Sequence, residues 1–200
     1  MLQATTNRLY VLARHGQSSA NSARVLDSDP DHAVGLTSRG TDEARLLGLQ
    51  VANIDFDLAV ATRFLRTQQT VELALGGREV PLLVEPDLDE VDVGRFGGGS
   101  IDAYWSWRER HSWTEQAPSG ESRAEAVARY GAALRRLLER GENRVLMVMH
   151  EHGLRSIAAA AAGDWPGYSE APFPNALPFL FEAAPLARAA VALEAAQPLR

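Results

Sequence analysis

Lysine and cysteine are both missing from this 200-residue chain. All 20 basic residues are therefore arginine. Without lysine there can be no Gly-Lys-Ser/Thr phosphate loop, no Schiff-base lysine and no Ser-Lys dyad. Without cysteine there are no disulfides, thiol nucleophiles or thiolate metal sites. Positive charge is also short overall. The formal net charge is −6, which speaks against a general nucleic-acid-binding surface. Long apolar runs are lacking too, since the stretch from Ile157 to Ala162 is far too short to cross a bilayer. The segment from Met1 to Arg8 is polar and reads as no signal peptide. A soluble, cytoplasmic protein is the expectation.

What remains is ordinary globular material, 46% hydrophobic and 23% charged. With no repeat and no linker-like stretch, a single domain over residues 1–200 is expected. Short apolar runs at Leu9–Ala13, Leu58–Ala61, Val80–Val84 and Arg144–Met149 read as strands. Helices are expected from Thr37 or Ser38 through Val51, from about Phe64 to Leu75, from Ser122 to Arg140, and from near Gly153. Residues 17 to 36 read as loop with a short helix, and Leu88 to Gly99 as irregular. Leu177–Phe181 and Ala189–Leu193 read as final strands. Strands alternating with helices imply an α/β fold, a parallel sheet covered on both faces.

In such sheets functional residues gather at the carboxyl ends of the strands. The first strand ends at Arg14-His15-Gly16, with Gln17 and Asn21 close behind. A later one ends at His150-Glu151-His152, the second runs into a helix carrying Arg66, and Glu90 follows the third. Side by side, these ends would give a pocket of two histidines, two arginines and a carboxyl group. Those types suit phosphoryl transfer. Arginine forks onto phosphate oxygens, a neutral imidazole attacks phosphorus, and a carboxyl group protonates a leaving alcohol. Each residue also has a plainer reading: an Arg-His-Gly turn, a core histidine, a turn-capping glutamate or a surface ion pair. His150-x-His152 with Glu151 could be half a metal site, but no second ligand cluster is evident. The three tryptophans Trp105, Trp107 and Trp113 could form a lid over the pocket or a packed aromatic cluster. His32 and His111 read as surface residues.

The ordered motifs resemble the histidine phosphatase superfamily (histidine acid phosphatase branch 1), with its phosphoglycerate-mutase-like fold. Arg14-His15-Gly16 with Asn21 matches the first box, and Leu36-Thr37-Ser38-Arg39-Gly40 the helix opening. Arg66-Thr67-Gln68-Gln69-Thr70, Leu88-Asp89-Glu90 with Gly94, and Pro118-Ser119-Gly120-Glu121-Ser122 follow in order. His150-Glu151-His152-Gly153-Leu154-Arg155 aligns with the second histidine box, and Asn175-Ala176 with a late pair. The resemblance implies a three-layer α/β/α sandwich around a mostly parallel sheet, with a small helical cap insertion at about residues 100–120.

It further implies His15, Glu90, His150, Arg14 and Arg66 as catalytic residues, and Gln17, Asn21, Glu151 and His152 as substrate-binding ones. No metal and no cofactor is expected, because arginine and imidazolium supply the positive charge. The implied activity is a phosphomonoesterase acting through a phosphohistidine on a small phosphorylated substrate. No nucleic-acid or membrane partner is expected, and a homodimer is left open. Four departures stand out: Thr62-Arg63 replaces the usual Ser-Pro, Gln17 a frequent glutamate, Ala20 a tryptophan, and Glu151-His152 glycine. The carboxylate of Glu151 is expected to crowd or repel a phosphate. A phosphoglycerate mutase and a catalytically weakened phosphate-binding regulator are the alternatives.

Overall fold

The computed structural model describes residues 8–164 and 173–195. Five strands form one sheet: β1 (Leu9–Arg14), β2 (Leu58–Ala61), β3 (Leu82–Val84), β4 (Arg144–Met149) and β5 (Phe179–Glu182). Their order across the sheet is β3-β2-β4-β1-β5, parallel except for β5, which pairs antiparallel with β1 at the edge. The connecting helices are α1 (Ser19–Ala23), α2 (Ser38–Gln50), α3 (Leu65–Leu75), α4 (Ile101–Arg108), α5 (Arg123–Arg140), α6 (Glu151–Ala162) and α7 (Ala183–Glu194).

Side chains of a strand alternate between faces, and here that alternation divides the core in two. Tyr10 and Leu12 of β1, Leu58 and Val60 of β2, and Val145 and Met147 of β4 face α5, α6 and α7. Val11, Ala13, Ala59, Ala61, Leu146 and Val148 face α2 and α3. With both faces covered, the central strands are apolar at every position but Arg14 at the end of β1 and Arg144 at the start of β4, which is why they read as continuous runs. The result is the three-layer α/β/α sandwich.

Side chains start the helices where expected. Thr37 caps α2 by accepting from the Gly40 amide at 3.0 Å. Ser122 and Glu125 close a reciprocal capping box at the start of α5. Three segments correct the sequence reading. Ala189–Leu193 is not a strand but part of α7, whose Leu186, Ala189, Ala190 and Leu193 are buried at helical spacing. The second histidine box enters its helix earlier than Gly153, because His150 itself is the N-cap of α6. β5 begins at Phe179 rather than Leu177, just past Pro178, which has no N–H for the ladder.

Candidate active site

β4 lies between β1 and β2, so their carboxyl ends place His15, His150 and Thr62 next to one another. The imidazoles of His15 and His150 meet edge to face, with centroids 5.3 Å apart. Both residues are buried. The turn after β1 is held tightly. His15 N–H donates to Met149 O at 2.9 Å, and Gly16 N–H to Thr70 Oγ1 at 3.1 Å. From the other side, Asn175 Nδ2 donates to His15 O at 2.7 Å and Ala176 N–H to Arg14 O at 2.9 Å. Gly16 is required by contact with α2: a Cβ there would sit 2.4 Å from Gly40 O, and one on Gly40 would sit 2.0 Å from Gln17 O. The two backbones touch because neither residue has a side chain.

One hydrogen bond fixes the chemistry of His15. Its Nδ1 lies 2.7 Å from Gly16 O, and a carbonyl can only accept, so Nδ1 carries the proton. Nε2 is then the atom with the free lone pair. Burial holds His15 well below the usual imidazole range, with the Arg66 and Arg14 charges adding to it. A neutral ring with a defined nucleophilic nitrogen follows.

His150 is fixed by a chain of hydroxyls. Thr67 Oγ1 donates to a carbonyl, Phe64 O, at 2.8 Å, which commits its only proton. The 2.9 Å contact between the two threonine hydroxyls must therefore be donated by Thr62. That leaves Thr62 Oγ1 to accept from His150 Nε2–H at 2.9 Å. Burial, Arg66 and the neighbouring His15 hold His150 well below its ordinary range. Its Nδ1 and the Nε of Arg14 are buried and find no hydrogen-bond partner among the described residues. An oxyanion beside His15 would accept from the Arg14 Nε–H, whereas Nδ1 of His150, a lone pair in this tautomer, pairs with it only after taking up a proton; buried polar atoms are costly to leave unpaired.

The arginines are anchored from behind. Arg14 NH1 donates to Glu151 at 2.8 Å and to Phe173 O at 2.8 Å. Glu151 also accepts from Arg155 at 2.9 Å and from the Phe173 amide at 3.2 Å. Its carboxylate is thus engaged by two guanidinium groups, and the expected repulsion of a phosphate is offset at its source. Arg66 is buried and pairs with Asp27, with NH1 to Oδ2 at 2.5 Å.

Glu90 follows a short 3₁₀ turn at Pro86–Leu88, within the electrostatic reach of Arg66 and Arg14. Burial raises its carboxyl pKa, opposed by the Val91 amide and by those two arginines. The turn is pinned by Arg129 of α5, which donates to the carbonyls of Asp87 at 3.0 Å and Asp89 at 3.1 Å and pairs with Glu121. A cleft of about 380 Å³ opens beside Glu90, bounded by Ser28, Arg63, Asp89 and Arg129. A partly buried carboxyl group of raised pKa within electrostatic reach of Arg66 and Arg14 can move a proton where an alcohol leaves phosphorus.

Of the expected catalytic residues only Glu90 lines that cleft, and not every expected residue turns towards the two histidines. Gln17 Oε1 accepts from Thr37 Oγ1 at 3.0 Å, so its side chain serves the start of α2. Asn21 is exposed, and its Oδ1 accepts from the Ser18 amide in the cap of α1. His152 lies two residues beyond His150, its ring 6.1 Å from Tyr130 and 6.0 Å from Trp113. Burial, together with Arg108, Arg123, Arg129 and Arg155, brings its pKa down to about 3. Trp107 stacks on Tyr104 and His111, with centroids 5.9 and 4.4 Å away, which is the packed aromatic arrangement. Trp113 packs against the core, and Trp105 is exposed. His111 is half-buried rather than a plain surface residue. Among the described residues no group of three His, Asp or Glu is placed to hold a metal ion, and no helix is long and apolar enough to cross a membrane.

Four contributors escaped the sequence reading: Asp27, Thr62, Thr70 and Arg129. Thr70 lies within the Arg66–Thr70 motif, whose order was the available signal. Gln69 of the same motif accepts from the Leu36 amide at 2.9 Å, so this segment braces both the His15 turn and the loop before α2.

Known proteins share this chain's sequence pattern and fold. Residues 10–176 match the family model of the histidine phosphatase superfamily, branch 1. A 2,3-bisphosphoglycerate-dependent phosphoglycerate mutase from Methylobacterium radiotolerans is 35% identical over 174 residues, covering 78% of this chain and 80% of the relative. A mutase of the same name from Beijerinckia indica is 36% identical over 137 residues, 62% of this chain and 64% of that one. Among solved structures, the alpha-ribazole phosphatase from Shigella flexneri superposes with a TM-score of 0.75 at 24% identity, covering 86% of this chain and 89% of the other. The mycobacterial glucosyl-3-phosphoglycerate phosphatase gives 0.70 at 21%, with 86% and 89% covered. These last two likenesses establish a shared fold.

Proposed function

The chain belongs to branch 1 of the histidine phosphatase superfamily, and from that premise we propose that it is a metal-independent phosphomonoesterase working through a phosphohistidine at His15. The observation that carries this reading is the 2.7 Å bond from His15 Nδ1–H to Gly16 O, which leaves Nε2 as a lone-pair nucleophile between two arginines and a second histidine. Nε2 attacks phosphorus in line, and the N–P bond forms as the ester P–O bond breaks. Glu90 gives its proton to the departing alcohol oxygen. It then takes a proton from water as that water attacks phosphorus and the N–P bond breaks, releasing phosphate and restoring His15. Arg14 and Arg66 stabilise the equatorial oxygens. His150, whose Nε2–H is committed to Thr62, is neutral in the empty site; the negative charge of a bound phosphate favours its protonation at Nδ1, from which it then donates to the phosphoryl group.

The substrate is a small phosphate ester whose alcohol portion lies towards Glu90 and the segment from Ile101 to Pro118, the proposed cap. A panel of phosphate esters, assayed with and without chelator on wild type and His15→Ala, tests the reading. Hydrolysis insensitive to chelator and lost in the variant is expected. Full activity in His15→Ala would overturn the mechanism.

A phosphoglycerate mutase is the second reading, favoured by the names of relatives at 35 and 36% identity. Against it stand the engagement of Gln17 with Thr37, the replacement of tryptophan by Ala20, and the absence of lysine. A coupled assay for interconversion of phosphoglycerates, supplied with 2,3-bisphosphoglycerate, separates the two. Turnover there exceeding ester hydrolysis would favour the mutase.

A further inference from the structure

Arg66 can serve a phosphoryl group at His15 only if its guanidinium plane and its rotation within that plane are both set. Phe64 sets the plane, with the guanidinium carbon 4.3 Å from the ring centroid. Rotation is set by a single residue. Asp27 Oδ2 accepts from NH1 at 2.5 Å, and the main-chain oxygen of Asp27 accepts from NH2 at 2.9 Å. Both terminal nitrogens are thus held end-on, and the Nε edge stays available for a second oxyanion.

Asp27 is itself immobilised. Its side chain is only 5% exposed, and Oδ1 lies 3.0 Å from Nδ1 of the exposed His32. The preceding residues are stitched to the 98–100 segment: Leu26 N–H donates to Gly99 O and Gly98 N–H to Leu26 O, each at 2.9 Å, and Val25 bridges Ser100. A carboxylate fixed at this many points is part of the scaffold. Arg14 is anchored in parallel fashion by Glu151 and Phe173 O.

We propose that Asp27 is the positioning residue for Arg66, acting through it on the phosphoryl group at His15. The inference rests on the reading of His15 as nucleophile. Its action is geometric: removing Asp27 frees the guanidinium to swing about its side-chain torsions, and a displacement of about 1 Å at a phosphoryl-binding group costs on the order of 100-fold.

The test uses the full chain, with p-nitrophenyl phosphate as substrate and inorganic phosphate as competing ligand. Asp27→Ala is expected to lower kcat/KM by about tenfold to a hundredfold and to raise the phosphate inhibition constant alongside. Asp27→Asn keeps an acceptor oxygen at the same reach and is expected to stay within a few-fold of wild type. Asp27→Glu keeps the charge, extends it by one methylene and is expected to fall with the alanine variant. Thermal midpoints are recorded for all three. A lowered midpoint in Asp27→Ala with unchanged kcat/KM and phosphate inhibition would reduce Asp27 to a structural part and overturn the proposal. If the alanine variant does not fold, an active Glu variant beside an inactive Asn variant overturns it equally, because charge would then matter and position would not. A wild type that neither hydrolyses esters nor binds phosphate would instead bring down the phosphatase reading, and this inference with it.

Discussion

Replacing Thr62 by valine exchanges a hydroxyl for a methyl group of nearly the same shape at a fully buried position. The change removes the acceptor of His150 Nε2–H and the donor to Thr67 Oγ1, while Thr67 keeps its bond to Phe64 O. A buried donor left without a partner costs about 1–3 kcal/mol. In a domain of this size each kcal/mol corresponds to roughly 2–4 °C in the thermal midpoint. A fall of about 2–12 °C is therefore expected, read by circular dichroism at neutral pH. The same loss frees the His150 proton to move to Nδ1 and the ring to turn. If 1–3 kcal/mol is also lost from transition-state binding, kcat/KM drops about 5- to 150-fold. Thr62→Ser retains the hydroxyl and should restore most of both quantities. A valine variant with wild-type midpoint and wild-type kcat/KM would refute the relay.

Three further outcomes follow from the same geometry. His15, His150 and His152 are kept neutral by burial and by arginine charge, so their folded pKa values lie below the unfolded value of about 6.5. As pH falls through about 6.5 the unfolded chain takes up protons that the fold refuses; stability is then lost with a slope of up to about 4 kcal/mol per pH unit, partly offset at lower pH by Glu90, whose raised pKa acts in the opposite sense. Urea titrations across pH 4 to 8 read this out, and a flat profile would contradict it. Glu90→Gln should lower kcat/KM, which reports the step that expels the alcohol, by about 10²–10⁴ on alkyl phosphates and much less on p-nitrophenyl phosphate, whose leaving group needs no proton; equal losses of kcat/KM on both would remove Glu90 from the acid role. Gly16→Ala should drive a methyl into Gly40 O, 2.4 Å from the ideal Cβ, and cost about 1–3 kcal/mol by overpacking; an unaltered urea midpoint would contradict that close approach.

The sheet was legible in the sequence because its central strands are buried on both faces. Leu9–Ala13 and Arg144–Met149 could hardly be anything but core, and their adjacency brings together the two histidines that follow them. The misreading of Ala189–Leu193 has a plain cause. Over five residues an apolar run does not distinguish strand from helix, and only the wider pattern from Leu186 to Leu193 shows the 3.6-residue period. Asp27, Thr62 and Arg129 were not visible because their partners are distant in sequence: Arg66 is 39 residues from Asp27, His150 is 88 from Thr62, and the Asp89 carbonyl is 40 from Arg129. Composition can nominate an arginine or a histidine. It cannot say which carboxylate or hydroxyl will orient it. Glu151 shows the converse: by type it is an anion beside the proposed phosphate site, and only its contacts with Arg14 and Arg155 show where its charge goes.

The central claim is that phosphorus becomes bonded to Nε2 of His15. Rapid acid-free quenching during turnover of p-nitrophenyl phosphate, followed by peptide mass spectrometry, tests it most directly. The account predicts one phosphoryl group on the peptide containing His15, labile to acid and absent from His15→Ala. Turnover proceeding with no phosphoenzyme in the single-turnover regime, or a phosphoryl group carried on another residue, would contradict it.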